Sequence, residues 1–265
     1  MEMAAHQHVG LIGYGAIGRD LHARLALDPQ YRFTILLREA ADAVAGRETT
    51  TVRTLDELIA ARPDLVVEAA GQAVVAELVP ALLEAGIDVV AVSSGALGDG
   101  ELLGRLTRIA QNSGARLTVP PGAIGGLDYL AALHGVEGVR VRYTSRKPVA
   151  AWADELREIG QDPERLRGEI ALFEGSPAEA ARRYPRNLNA SLTVALAAGA
   201  ERTIVRVVAD PAVVRNTHEI AVESPVGEAF MSFANLPSPA NPKTSALTAL
   251  SLAAVVRRHF DPVII

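Results

Sequence analysis

Over the first 120 residues, short runs rich in Val, Ile and Leu alternate with amphipathic segments, and this rhythm is the tightest constraint on the fold. The runs are "HVGLIG", "RFTILLR", "DLVVEAA", "IDVVAVS" and "ARLTVP", and the pattern predicts helices after Ala16, Leu55, Gln72 and Asp99. Strands this apolar are covered on both faces, and strands separated by helical segments pair in parallel through crossovers. The first part of the chain therefore reads as a doubly wound parallel sheet.

Gly13-x-Gly15-x-x-Gly18 follows the first run directly and opens the first helix. In that context Gly13 permits a tight turn, Gly15 lets a pyrophosphate approach the backbone, and Gly18 lets helix and strand pack closely. Gly13, Gly15, Ala16, Ile17 and Gly18 are thus candidate contacts for a dinucleotide, the alternative being a purely structural turn. Arg38 stands at the expected end of the second run, where an acid would bind a free ribose 2′-hydroxyl. It can pair with a 2′-phosphate instead, which points toward NADP or dual use, or it is simply a solvated arginine. Ala70, Gly71, Ser93 and Ser94 follow two further runs, where small residues leave room for a ligand beyond the carboxyl ends of the strands or pack a turn tightly.

From "PPGAIGGLDYLAAL" onward the strands lengthen and alternate more cleanly: "GVRVRYTSRKP", "AERTIVRVVAD", "VRNTHEIAVES" and "GEAFMSFANLP". Their short connections predict a mixed or antiparallel sheet with one open face, joined to one or two helices within "SPAEAARRYPRNLNASLTVALAAG". The glycines of "VPPGAIGGLD" could expose amides to a carboxamide or carboxylate. In "NPKTSALTALSLAAVVRRHF" Asn241 reads as an N-cap and Pro242 as the first helical residue, with Lys243, Thr244 and Ser245 in the first turn. A cation held there suggests an anion nearby, although a solvent-pointing lysine explains it as well. The helix body is apolar almost all round, so it is expected to be buried and to return to the first domain. The expected division is residues 1–120 with 241–265 as the dinucleotide-binding domain and 121–240 as the catalytic and dimerisation domain.

The absence of cysteine excludes thiolate metal sites and thioacyl chemistry, and with them a semialdehyde dehydrogenase. A net charge of −5 gives no general attraction to nucleic acid or anionic membrane surfaces. Neither a secretory signal nor a membrane-spanning run is apparent, so a cytoplasmic location is expected. Of the six histidines only His218 falls on the apolar row of a strand, with Asn216 beside it. It is either a packed core histidine or the working group of a site, and no metal-ligand spacing accompanies it.

The blocks "GLIGYGAIG", "VPPGAIGGLD", "FEGSPAEAARRYPRNLNASL", "VVADPAVVRNTHEI" and "NLPSPANPKTS" occur in that order, and together they resemble the L-aspartate dehydrogenases over nearly the whole chain. The resemblance implies a Rossmann domain, a second α/β domain that forms a homodimer, and a C-terminal helix rejoining the first domain. This agrees with the second α+β domain and open mixed sheet read from the strand pattern. It implies oxidation of L-aspartate to iminoaspartate with NAD or NADP, releasing oxaloacetate and ammonia, and the reverse amination. It places the catalytic histidine at His218 and cofactor contacts at Ala123 and Asn189. Asn187, Lys243, Thr244 and Ser245 are the expected partners of the substrate carboxylates. Arg38 departs from the acid that several members carry. A dihydrodipicolinate-reductase-like imine reductase and a non-catalytic nucleotide sensor are the competing readings.

Overall fold

The structure, a computed structural model, describes residues 6–37, 44, 46, 48–184, 189–239 and 241–264, with the backbone alone at 241–243. The chain forms two compact units, Met1–Pro120 with Thr248–Ile265, and Pro121–Leu247.

The first unit runs β1 (Gln7–Ile12), α1 (Ala16–Leu25), β2 (Tyr31–Leu36), β3 (Thr49–Val52), α2 (Leu55–Ala60), β4 (Leu65–Glu68), α3 (Gln72–Glu84), β5 (Asp88–Ala91), α4 (Gly100–Ser113) and β6 (Leu117–Thr118). All six strands are parallel, in the order β3-β2-β1-β4-β5-β6. The order reverses between β1 and β4, and ligands of such sheets bind at the carboxyl ends beside that switch. Helix starts follow local chemistry. Thr54 and Glu57 form a reciprocal capping box at α2, and Asp99 accepts the Glu101 and Leu102 amides at α4. Edge strand β3, "TTTV", was not expected, because a short threonine-rich segment lacks the apolar run that marked its neighbours.

The second unit runs α5 (Leu127–Ala132), β7 (Arg140–Lys147), α6 (Ala153–Glu158), β8 (Ile170–Gly175), α7 (Pro177–Arg183), α8 (Asn189–Ala198), β9 (Thr203–Ala209), β10 (Asn216–Ser224), β11 (Gly227–Asn235), β12 (Pro237–Ser238) and β13 (Asn241–Ser245). Its main sheet has the order β11-β10-β7-β9-β8, and only β7 and β9 are parallel. Val141, Tyr143, Val205, Val207, Ile220 and Val222 form the inner face against Leu130, Trp152, Leu156 and Val194. On the other face Ile204 and Phe230 are exposed.

The last helix, α9 (Leu247–Phe260), starts later than expected. Residues 241–245 are strand β13, paired antiparallel with β12, so Pro242 and Lys243 do not open a helix. The Ser245 hydroxyl accepts the Leu247 amide at 3.1 Å and serves the true helix start. Only one stripe of α9 is buried: Leu252, Ala253 and Val256 join Val9, Leu11, Leu21, Phe33 and Val67 on one side of the first sheet, while Leu250 is exposed. The opposite side holds Leu58, Val75, Val79, Leu83 and Leu106. Both faces of the parallel sheet are thereby covered.

Candidate active site

The glycine-rich turn between β1 and α1 is closed on one side and open on the other. A Cβ on Gly18 would lie 2.1 Å from the Gly13 carbonyl oxygen, and one on Gly13, whose φ is +94°, would lie 2.7 Å from the Ala69 backbone. These two glycines let strand, turn and helix touch. A Cβ on Gly15 would meet nothing within 4 Å. Gly15 is also the N-cap of α1 and supplies no side-chain cap, which leaves the first-turn amides, those of Ala16, Ile17 and Gly18, without an intrahelical acceptor. An open space facing uncapped amides at a helix N-terminus suits a pyrophosphate, and the residues present fit a dinucleotide.

Glu68, at the carboxyl end of β4, went unnoticed in the sequence. Its side chain is fully buried. One carboxylate oxygen accepts the Ala70 and Gly71 amides, both at 2.7 Å, and the Ser93 hydroxyl at 3.0 Å, while the other accepts the Ser93 amide at 3.1 Å. A single buried charge thus ties the loop after β4 to the loop after β5, the two loops in which Ala70, Gly71, Ser93 and Ser94 were expected to meet a cofactor. Bonds to a carboxylate are the strong kind, so both loops are held in one arrangement. On the other side of β1, Tyr14 of the glycine turn bonds His22 Nδ1 at 2.9 Å, and His22 Nε2 bonds Thr49 of β3 at 3.0 Å. Burial lowers the His22 pKa, so the ring is neutral and serves as a structural bridge.

In the second unit, His218 stands on the inner face of β10. Cross-strand pairing puts it opposite Ser145 of β7 and Phe233 of β11. Tyr143, Ser145 and Lys147 follow at every second residue along β7 and share that face. The Tyr143 hydroxyl lies 2.7 Å from His218 Nδ1, and the two rings stack with centroids 6.0 Å apart. Burial pushes the His218 pKa down to about 4, with the Lys147 ammonium acting in the same direction. Burial also lowers the Lys147 pKa, which nearby Glu155 opposes, and its Nζ sits 4.8 Å from the Trp152 ring centroid. The imidazole is therefore neutral near pH 7, with a lone pair available on one nitrogen. Among the described residues its hydrogen-bond partner is Tyr143, and no bond to the neighbouring Asn216 is seen. The period-2 pattern could place Tyr143 on an inward row, but not within hydrogen-bond reach of His218.

The opposite face of β10 explains why this row stays in place. Arg146 grips Glu219 through two parallel bonds, at 3.0 and 3.1 Å, and also bonds Asp210 at 2.7 Å and Glu169. The guanidinium thus clamps the residue next to His218 to β7.

The glycine loop before α5 lies against β11. A Cβ on Gly125 would approach the Phe233 ring to 3.3 Å, and one on Gly126, whose φ is +73°, would strike the Met231 sulfur. These glycines serve close packing. Ala123, expected as a cofactor contact, has its carbonyl bonded by Asn235 at 2.7 Å, which anchors the loop beside the histidine row. Asn189 is exposed at the first position of α8. Thr244 and Ser245 lie on β13, and Lys243 shares that strand by its backbone. Arg38 and Asn187 lie outside the described residues. Among the described residues no cluster of three His, Cys, Asp or Glu side chains could hold a metal.

Two family models cover most of the chain: the NAD binding domain of homoserine dehydrogenase matches residues 13–120, and the aspartate dehydrogenase C-terminal model matches residues 128–259. The chain is 49% identical to L-aspartate dehydrogenase 2 of Bordetella bronchiseptica, over 95% of this chain and 96% of the relative. The chain belongs to the aspartate dehydrogenase family. Identity to the L-aspartate dehydrogenase of Pseudomonas aeruginosa is 40%, over 95% of this chain and 97% of that one. The crystal structure of aspartate dehydrogenase from Thermotoga maritima superposes with a TM-score of 0.78 at 29% identity, covering 98% of this chain and 99% of the other. Dihydrodipicolinate reductase from Paenisporosarcina has a TM-score of 0.55 at 12% identity over 96% of this chain and 94% of its own, a likeness of fold alone.

Proposed function

We propose that this protein oxidises L-aspartate at Cα with NAD or NADP, giving iminoaspartate that hydrolyses to oxaloacetate and ammonia, and that it runs the reverse reductive amination. The observation that carries this reading is the neutral imidazole of His218, held by Tyr143 in a chain that belongs to the aspartate dehydrogenase family. In the first unit, Gly13, Gly15, Ala16, Ile17 and Gly18 hold the pyrophosphate, and Ala70, Gly71, Ser93 and Ser94 hold the nicotinamide half. Ala123 and Asn189 are the further cofactor contacts that the family resemblance implies. Bound there, NAD or NADP supplies the acceptor for the Cα hydride.

His218 takes a proton from the substrate ammonium, so that the nitrogen lone pair can form the C=N bond as hydride leaves. Once it has released that proton to solvent, the same imidazole accepts a proton from the water that adds to the imine. A base with a pKa below the working pH is unprotonated when substrate arrives. Lys147, on the same row, joins Thr244, Ser245, Lys243 and Asn187 as a candidate partner of the two substrate carboxylates.

The working form is a homodimer formed through the open face of the second sheet, where Ile204 and Phe230 are exposed. Sedimentation of a Phe230→Glu variant as a monomer would agree with this, whereas an unchanged dimer would place the contact elsewhere. The proposed compartment is the cytoplasm. Among the described residues no helix is long and apolar enough to cross a membrane.

The deciding assay follows nicotinamide absorbance with aspartate and NAD, then NADP, and in reverse with oxaloacetate and ammonia. Aspartate-dependent reduction that is lost in His218→Ala, with cofactor affinity retained, is expected. Reduction of a cyclic dihydropicolinate imine with no aspartate activity would overturn the reading, as would a His218→Ala variant with normal turnover.

A further inference from the structure

We propose that Tyr143 is a positioning residue that holds His218 in the tautomer carrying its proton on Nδ1, leaving Nε2 as the nitrogen that exchanges protons with the substrate. The proposal rests on the reading of His218 as the base.

The geometry supports it in three ways. First, the phenol oxygen is 2.7 Å from Nδ1, so Nδ1 and not Nε2 faces the phenol. Second, Tyr143 is fully buried on β7, which is hydrogen-bonded to β10 on one side and β9 on the other, so its oxygen is a fixed point. Third, Ser145 stands two residues along β7, directly opposite His218, with its hydroxyl buried on the face that carries the phenol. As a buried hydroxyl on the same face, Ser145 is a group that can accept the phenol proton.

The chemistry then selects one arrangement. A histidine that accepts a proton at Nε2 must begin with a lone pair there, and its single hydrogen is then on Nδ1. That N–H donates to the Tyr143 oxygen. The reverse arrangement, with the phenol donating to Nδ1, puts the hydrogen on Nε2 and blocks the base. Burial raises the Tyr143 pKa, which keeps the phenol neutral, so it orients the ring without the basicity that a carboxylate partner would add. Among the described residues, the charged and titratable neighbours of the imidazole are Tyr143 and Lys147, both on β7, while β11 presents Phe233.

Two measurements test this. The first is the ¹⁵N spectrum of histidine-labelled wild-type protein near pH 7, which reads the His218 tautomer without reference to activity. A protonated Nδ1 is expected, and a protonated Nε2 would overturn the proposal. The second is Tyr143→Phe, which keeps the ring and removes the oxygen. Its expected result is a kcat lowered about tenfold or more, with aspartate KM and cofactor affinity within about threefold, and a His218 spectrum shifted toward protonated Nε2. A variant that keeps wild-type kcat and the wild-type spectrum would overturn the proposal. Normal turnover in His218→Ala would instead overturn the reading of His218 as the base, whatever the tautomer.

Discussion

Replacing Glu68 by Gln removes one charge and one acceptor from a buried side chain that ties two loops of the first unit together. In the wild type one carboxylate oxygen accepts from Ala70, Gly71 and the Ser93 hydroxyl, and the other accepts from the Ser93 amide. The glutamine oxygen can keep the three from Ala70, Gly71 and the Ser93 hydroxyl, but its amide group then faces the Ser93 N–H, donor against donor. A lost bond to a charged group is worth about 1.5–3 kcal/mol, and an orphaned buried N–H about 1–3 kcal/mol. Because the two terms overlap, the expected loss is about 3 kcal/mol. With a urea slope of about 2 kcal/mol per molar, the midpoint should fall by about 1–2 M. Far-UV circular dichroism is the appropriate signal, because the single tryptophan, Trp152, lies in the second unit. Titration with NADH and NADPH should show affinity weakened about tenfold, equivalent to about 1.4 kcal/mol, as the two loops lose their common tie. A variant with an unchanged midpoint and unchanged affinity would refute the argument that this carboxylate holds the loops.

Gly15→Ala and Gly18→Ala should separate binding from folding: the first adds a methyl to open space and should change stability by under about 0.5 kcal/mol while weakening dinucleotide binding, and the second should cost about 1–3 kcal/mol or more. Equal cofactor affinity in Gly15→Ala and wild type would contradict the open cradle. His218 has a folded pKa near 4, below the ordinary histidine value of 6.5, so the unfolded chain binds the extra proton between those limits. Its contribution is therefore present in full above pH 6.5 and is lost as pH falls toward 4, by up to about 3 kcal/mol. Urea midpoints of His218→Asn should fall less steeply than wild type over that window, and parallel curves would count against the neutral buried ring. Arg146→Met leaves Glu169, Asp210 and Glu219 without their shared cation and should cost about 2–3 kcal/mol at pH 7. The deficit should shrink at pH 4, where carboxylates begin to protonate, and a deficit that did not change with pH would reject the electrostatic account.

Much of this protein is legible without coordinates because its determinants are local. The apolar runs and intervening amphipathic segments specify parallel crossovers, Gly13, Gly15 and Gly18 specify the turn, and the alternation around Thr217 puts His218 on an inward row. Each of these depends on neighbours a few residues away. Strand β3 and the pairing of β12 with β13 did not register in that way. "TTTV" becomes a strand by lying beside β2, and "NPKTS" carries helix-start residues yet pairs with Pro237 and Ser238. There the tertiary partner outweighed the local propensity.

The candidate site divides along the same line. Sequence alone marked His218 as an intruder on an apolar row, and it left open whether the ring was core packing or a base, because both place a histidine inward. Tertiary structure decided the environment. The register of β10 against β7 sets Tyr143, 75 positions away in the chain, at 2.7 Å from Nδ1. Glu68 reaches Ser93, 25 positions on, by the pairing of β4 with β5. No periodicity encodes such a contact, because hydrogen-bond geometry and burial depend on which strands become neighbours. What the sequence determined is which residues face inward; which of them meet, and so which nitrogen of His218 is left to work, was decided by the packing of the strands.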